Sequence, residues 1–198
     1  MINIKPVYFI LASILFVIFQ AFVIIRKKEF NFWSVLAKYI FLNYCLYAIF
    51  LLFFPIYIDP RAIDTSQAVS SNINIIPFAS LIDMAIFDTK YGYYTSLVKN
   101  IMGNTLLLLP LSFYLTVIWD KLKTVKTVLI TSISIPILIE LIQLIENIFQ
   151  GTGRKVDIDD VILNGVGFFM GYWIAVKLYS PIKEMLSQSN VSLKKHNL

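Results

Sequence analysis

Five apolar runs alternate with polar connections along the chain. Val7 to Ile25 is nearly unbroken, follows only Lys5 and ends in Arg26-Lys27-Lys28. Its charges follow the run and no small-residue cleavage site closes it, so the pattern predicts a retained spanning helix rather than a signal peptide. Val35 to about Ile58 is a second span, rich in Phe, Leu and Tyr, with Lys38 placed to snorkel at its inner end. About Val98 to Trp119 is the third, with Pro110 near its middle; a proline there leaves the carbonyl of Leu106 without its usual donor. About Thr127 to Phe149 is the fourth, with Pro136 inside it and Gly151 and Gly153 breaking it. Val156 to about Tyr179 is the fifth, followed by a polar, basic tail. Between spans two and three, Ile75-Ile76-Pro77-Phe78 precedes Leu81, Ile82, Met84 and Ile86. That stretch is too short to span and too apolar for water, and it reads as an interfacial or re-entrant segment.

Composition sharpens this picture. The 198 residues are 58% hydrophobic and only 15% charged, well below the charge of an ordinary soluble domain. The net charge of +5 suits inner loops facing anionic lipid, and no nucleic-acid motif accompanies it. Basic connections follow spans one, three and five: Arg26 to Lys28, Lys121 to Lys126, and the tail. The expected fold is therefore an all-α polytopic membrane helix bundle of about five transmembrane helices, with the N-terminus outside and the C-terminus cytoplasmic. The expected division is residues 1–34 as first helix and inner loop, 35–180 as the membrane-embedded domain, and 181–198 as a cytoplasmic tail. Cys45 and His196 are the single cysteine and histidine. They argue against a disulfide framework, a zinc centre and a Ser-His-Asp triad.

The candidate chemistry gathers around Gly151 to Gly171, GTGRKVDIDDVILNGVGFFMG. Arg154, Asp157, Asp159, Asp160 and Asn164 stand against the start of an apolar helix, where ionisable groups are costly unless partnered. Asp157, Asp160 and Asn164 are spaced i, i+3, i+7, as are Glu140, Gln143 and Asn147 in span four, so each set marks one helical face. Asn104 lies near the outer end of span three. Glu140 is deepest, about nine residues or roughly 13 Å from its helix end. If spans three to five pack together, these faces meet in one outward cleft. Gly167 and Gly171 form a GxxxG pair, read as helix packing.

These pieces resemble the VanZ-like family. The resemblance rests on Asn74 with Pro77-Phe78, on Asn100 to Pro110 (NIMGNTLLLLP), on Glu140 with Gln143, and on Arg154, Asp157, Asp160-Val161 and Asn164 with Gly165 and Gly167. They occur in the family's order over roughly residues 72–179. Two positions depart from it: Leu108 stands for a usual Phe and Ser112 for a usual Gly, both expected to affect packing. The family is associated with low-level resistance to the glycopeptide teicoplanin, which implies a role in a bacterial cell envelope and its plasma membrane.

Each candidate has two readings. Glu140 with Gln143 is either part of a site or a polar clamp between helices. Asp157 and Asp160 are either ligands, with Glu140, for a divalent cation, or a charged helix N-terminus. No metal or other cofactor is assigned. Arg154 either holds a phosphate or carboxylate bidentately or neutralises the acids. The favoured function is binding: Asn74, Asn104, Glu140, Gln143, Arg154, Asp157, Asp160 and Asn164 would engage an amphiphile, either a membrane lipid, a lipid-linked wall precursor or a lipoglycopeptide. The alternatives are an intramembrane enzyme with Glu140 as general acid or base, disfavoured for want of a nucleophile, and a structural or partner-organising protein.

Overall fold

In the computed structural model, residues 6–27, 32–53, 73–93, 95–119, 124–150 and 155–196 are described. The helices are α1 (Pro6–Lys27), α2 (Phe32–Phe53), α3 (Ala79–Tyr91), α4 (Ser96–Ile118), α5 (Val125–Gln150) and α6 (Ile158–His196). Two short strands, β1 (Ile73–Asn74) and β2 (Val156–Asp157), pair in parallel. Among the described residues, four segments are long and apolar enough to cross a membrane: Val35–Phe53, Ser96–Ile118, Val125–Asn147 and Ile158–Leu178. In α1 the corresponding apolar stretch, Ile10–Arg26, is shorter. The all-α polytopic architecture is as expected. The external loop around Asp59, the Lys121–Lys123 loop, Gly151, Gly153 and Arg154 lie outside the described residues.

Three boundaries differ from the hydrophobic pattern. Helix α6 begins at Ile158, because Val156 and Asp157 are drawn into the β1–β2 ladder (Ile73 opposite Val156, Asn74 opposite Asp157). It continues to His196, through the stretch expected to be a separate tail. The interfacial segment proves to be a formed helix, α3, of 13 residues. Pro110 and Pro136 both sit inside continuous helices.

The chain divides into two compact units, Met1–Pro77 with Leu138–Ile158, and Phe78–Ile137 with Asp159–Leu198. In the first, α1 meets α2, where Ser13 Oγ donates to Asn43 Oδ1 (3.1 Å) and Asn43 Nδ2 donates to the Tyr39 carbonyl (2.9 Å). Gln143 on α5 donates through Nε2 to the Leu52 carbonyl of α2 (3.3 Å). A hydrophobic exterior and polar interior contacts are what a bilayer demands, since lipid offers no hydrogen-bond partner.

In the second unit, α6 lies against α4 and against the first half of α5. A Cβ at Gly167 would overlap the Thr105 carbonyl, and one at Gly171 would overlap the Leu109 carbonyl. A Cβ at Gly165 would lie 2.8 Å from the Ser132 carbonyl oxygen. Thr105 to Leu109 thus advances with Gly167 to Gly171, so α4 and α6 run in the same direction at backbone contact. The GxxxG pair is packing, as expected, and it acts within the chain. Leu108 and Ser112, the two departures from the family pattern, are both buried in this unit.

Gly167→Ala and Gly171→Ala are expected to lower the thermal unfolding midpoint in detergent, each by an overpacking cost of about 1–3 kcal/mol. Gly103→Ala is the control, because nothing lies within 4 Å of a Cβ there. Equal midpoints for all three variants would contradict the close α4–α6 approach.

Candidate functional site

Apart from Arg154, which lies outside the described residues, the expected site residues fall into two groups, one in each unit. The first holds Asn74, Glu140, Gln143 and Asp157. Asn74 ends β1; its Oδ1 accepts from the Ile76 N–H (3.1 Å), a local turn that frees Nδ2 to donate to Asp157 Oδ1 (3.0 Å). The Asp157 N–H in turn donates to Glu140 Oε2 (3.2 Å). Glu140 and Asp157 are 5% and 6% exposed. Glu140, Gln143 and Asn147 are all buried, so their i, i+3, i+7 spacing does mark one interior face. Asp157 does not share a helical face with Asp160 and Asn164, because it belongs to β2.

The second group holds Asn104, Asp160 and Asn164, on α4 and α6. Asn104 Nδ2 donates to Asp160 Oδ1 (2.6 Å). Asn164 Nδ2 donates to the Asp160 carbonyl one turn earlier (2.8 Å) and to Asn104 Oδ1 (3.4 Å). Asn164 is 2% exposed.

Two further acids matter that the sequence reading left out of the site. Asp159 is buried and accepts from two backbone donors, the N–H of Phe78 through Oδ1 and that of Leu81 through Oδ2 (3.2 Å). Both amides belong to the start of α3, where Phe78 makes no side-chain cap of its own. Phe78 has φ 66°, a left-handed conformation that costs a side-chain-bearing residue roughly 1–2 kcal/mol. Two hydrogen bonds to a carboxylate offset that cost. The signal was visible in the DIDD run, but helical spacing pointed to its neighbours instead. Asp88, near the end of α3, does the same for α4: its Oδ2 accepts from the Leu97 N–H (3.0 Å), while Thr95, the residue before the helix, makes no side-chain cap. Nothing in the sequence marked Asp88, because its partner is nine residues on, across the Gly92 turn.

The Leu97 amide, with help from the Ser96 side chain, holds the Asp88 carboxyl below the usual carboxylate range. Among the described residues, no three His, Cys, Asp or Glu side chains come together as a metal site.

Apolar helices of spanning length, with carboxylates and amides buried among them, define a multi-pass membrane protein. The chain belongs to the VanZ-like family: the VanZ/LLP1 family model matches residues 41–180 of its 198 residues, more than two thirds. No curated protein and no solved structure matches it.

Asp159→Ala is expected to cost about 1–3 kcal/mol, the loss of a cap that leaves buried donors. It should also speed tryptic cleavage at the exposed Lys90 of α3. Unchanged cleavage would contradict the clamp. Asp88 gives a pH test. A carboxyl whose folded pKa is depressed adds stability above its unfolded value, and that stability is lost as pH falls through the folded value. Wild type should therefore lose more thermal stability than Asp88→Asn on going from pH 6 to pH 3. Parallel losses would contradict the role of Asp88.

Proposed function

We propose that this protein binds an amphiphile of the bacterial cell envelope, with the polar groups taking its head and an adjacent apolar face its tail. The observation that carries this reading lies in the second unit. Asp160, the start of the amide–carboxylate cluster, directly follows Asp159, which holds the start of α3. From there Ile82 and Ile86, at i and i+4, share one face of α3, and they are exposed, as is Phe78 just before the helix. Head-group chemistry beside an apolar face is the pairing an amphiphile requires. Glu140 and Asp157 of the first unit are candidate ligand contacts in their own right in this reading, and Arg154 is a further candidate from the sequence alone. Family membership extends the proposal to a lipid-linked wall precursor or a lipoglycopeptide as ligand, and to a contribution to teicoplanin tolerance. In the proposed orientation the N-terminus faces outward and the C-terminus the cytoplasm.

Native mass spectrometry from gentle detergent tests this. Wild type should carry a co-purifying amphiphile that is lost in Glu140→Gln or Asp160→Asn while the unfolding midpoint stays within a few degrees. If all three preparations are bare and equally stable, the polar groups hold no amphiphile and the proposal fails.

A further inference from the structure

We propose that the groove between α5 and α6 seats an aliphatic lipid chain, so that the amphiphile carries a flexible hydrocarbon tail and lays it between these two helices. This rests on the amphiphile reading and gives its tail a place. The groove has a volume of about 460 Å³, within the range of sites that hold small molecules. Its walls are Leu129 and Ile133 of α5, and Ile162, Val166 and Phe169 of α6. The first pair is spaced i, i+4 and the second set i, i+4, i+7, so each wall is one helical face. Leu129, Ile133, Val166 and Phe169 are exposed and lie in the apolar segments Val125–Asn147 and Ile158–Leu178. The groove therefore opens to the hydrocarbon of the bilayer. Its α6 lining begins at Val161, the residue after Asp160, so it starts at the end of α6 that carries the amide–carboxylate cluster.

The lining selects a chain over a second helix. Helices associate in a bilayer through small residues that let backbones approach and through polar side chains that bond across. Here both are already spent. A Cβ at Gly165 would lie 2.8 Å from the Ser132 carbonyl oxygen, so α5 itself takes the close approach that this glycine allows. The Ser132 hydroxyl donates to the Leu129 carbonyl (2.9 Å). What remains is a narrow floor between large apolar walls. A helix about 10 Å across cannot reach that floor, whereas a hydrocarbon chain can touch the floor and both walls. Lipid tails are as apolar as these side chains, so the gain is close packing rather than escape from water. No charged side chain lines the groove, so it offers nothing to a head group and suits a tail alone.

The test uses the full chain in detergent, offered equal amounts of dioleoyl phosphatidylglycerol and dioleoyl phosphatidylethanolamine. Native mass spectrometry reads retained lipid and oligomeric state. Ile133→Trp and Val166→Trp each set an indole into the groove from an exposed position, and either serves if the other does not fold. Ile130→Trp, exposed on α5 outside the groove lining, is the control. Wild type and Ile130→Trp should retain lipid, and both groove variants should retain at least about tenfold less, the factor carried by roughly ten close atom contacts. Wild-type retention in both groove variants, with loss in Asp160→Asn, would overturn the tail site and leave amphiphile binding standing. An equal loss in Ile130→Trp would also overturn the tail site, since any added indole would then act alike. A wild-type dimer that Ile133→Trp converts to a monomer with its lipid kept would give the groove to a second copy instead. Retention by none of the preparations would overturn both readings.

Discussion

A hydrocarbon interior offers no water to a polar group, so every carboxylate and amide kept there must be answered by the protein itself. The short run Asp157-Ile158-Asp159-Asp160 is where this constraint is met most densely. Asp157 accepts from the Asn74 side chain, Asp159 from the Phe78 and Leu81 amides, and Asp160 from the Asn104 side chain. Three successive acids thus reach three different segments. The turn from β2 into α6 permits this, since extended and helical backbone point neighbouring side chains in different directions.

The consequences run outward from that turn. The parallel pairing of β1 with β2 satisfies backbone groups that would otherwise be stranded beside a helix start. The left-handed Phe78 is tolerable because a carboxylate holds its N–H. Close contact of α4 with α6 at Gly167 and Gly171 brings Asn104 within reach of Asp160 and Asn164. Polar fastening and small-residue packing are therefore one device: each requires the approach that the other allows.

Much of this could be read from the chain, because bilayers impose long apolar runs and penalise buried charge. The spans, the short interfacial element and the interior face of Glu140, Gln143 and Asn147 all follow from periodicity. What periodicity could not show is pairing between distant segments. Asp157 looked like a helix residue because the two-residue strand that claims it is set by Ile73 and Asn74, more than eighty positions earlier. Asp159 looked incidental because its partners are backbone amides, which carry no sequence signature. Asp88 was hidden for the same reason. Asn104 and Asn164 were found as candidates, but only geometry shows that Asn164 leaves an acceptor unfilled.

The acids of the α6 turn each hold a distant segment of the chain in place. Hydrogen–deuterium exchange of the wild-type chain in lipid nanodiscs tests this most directly. The amides of Phe78, Leu81, Leu97 and Asp157 should be protected as strongly as mid-helix amides of α4, although each lies at or beside the start of an element. Exchange of these four at the rate of exposed, unbonded backbone would contradict the account.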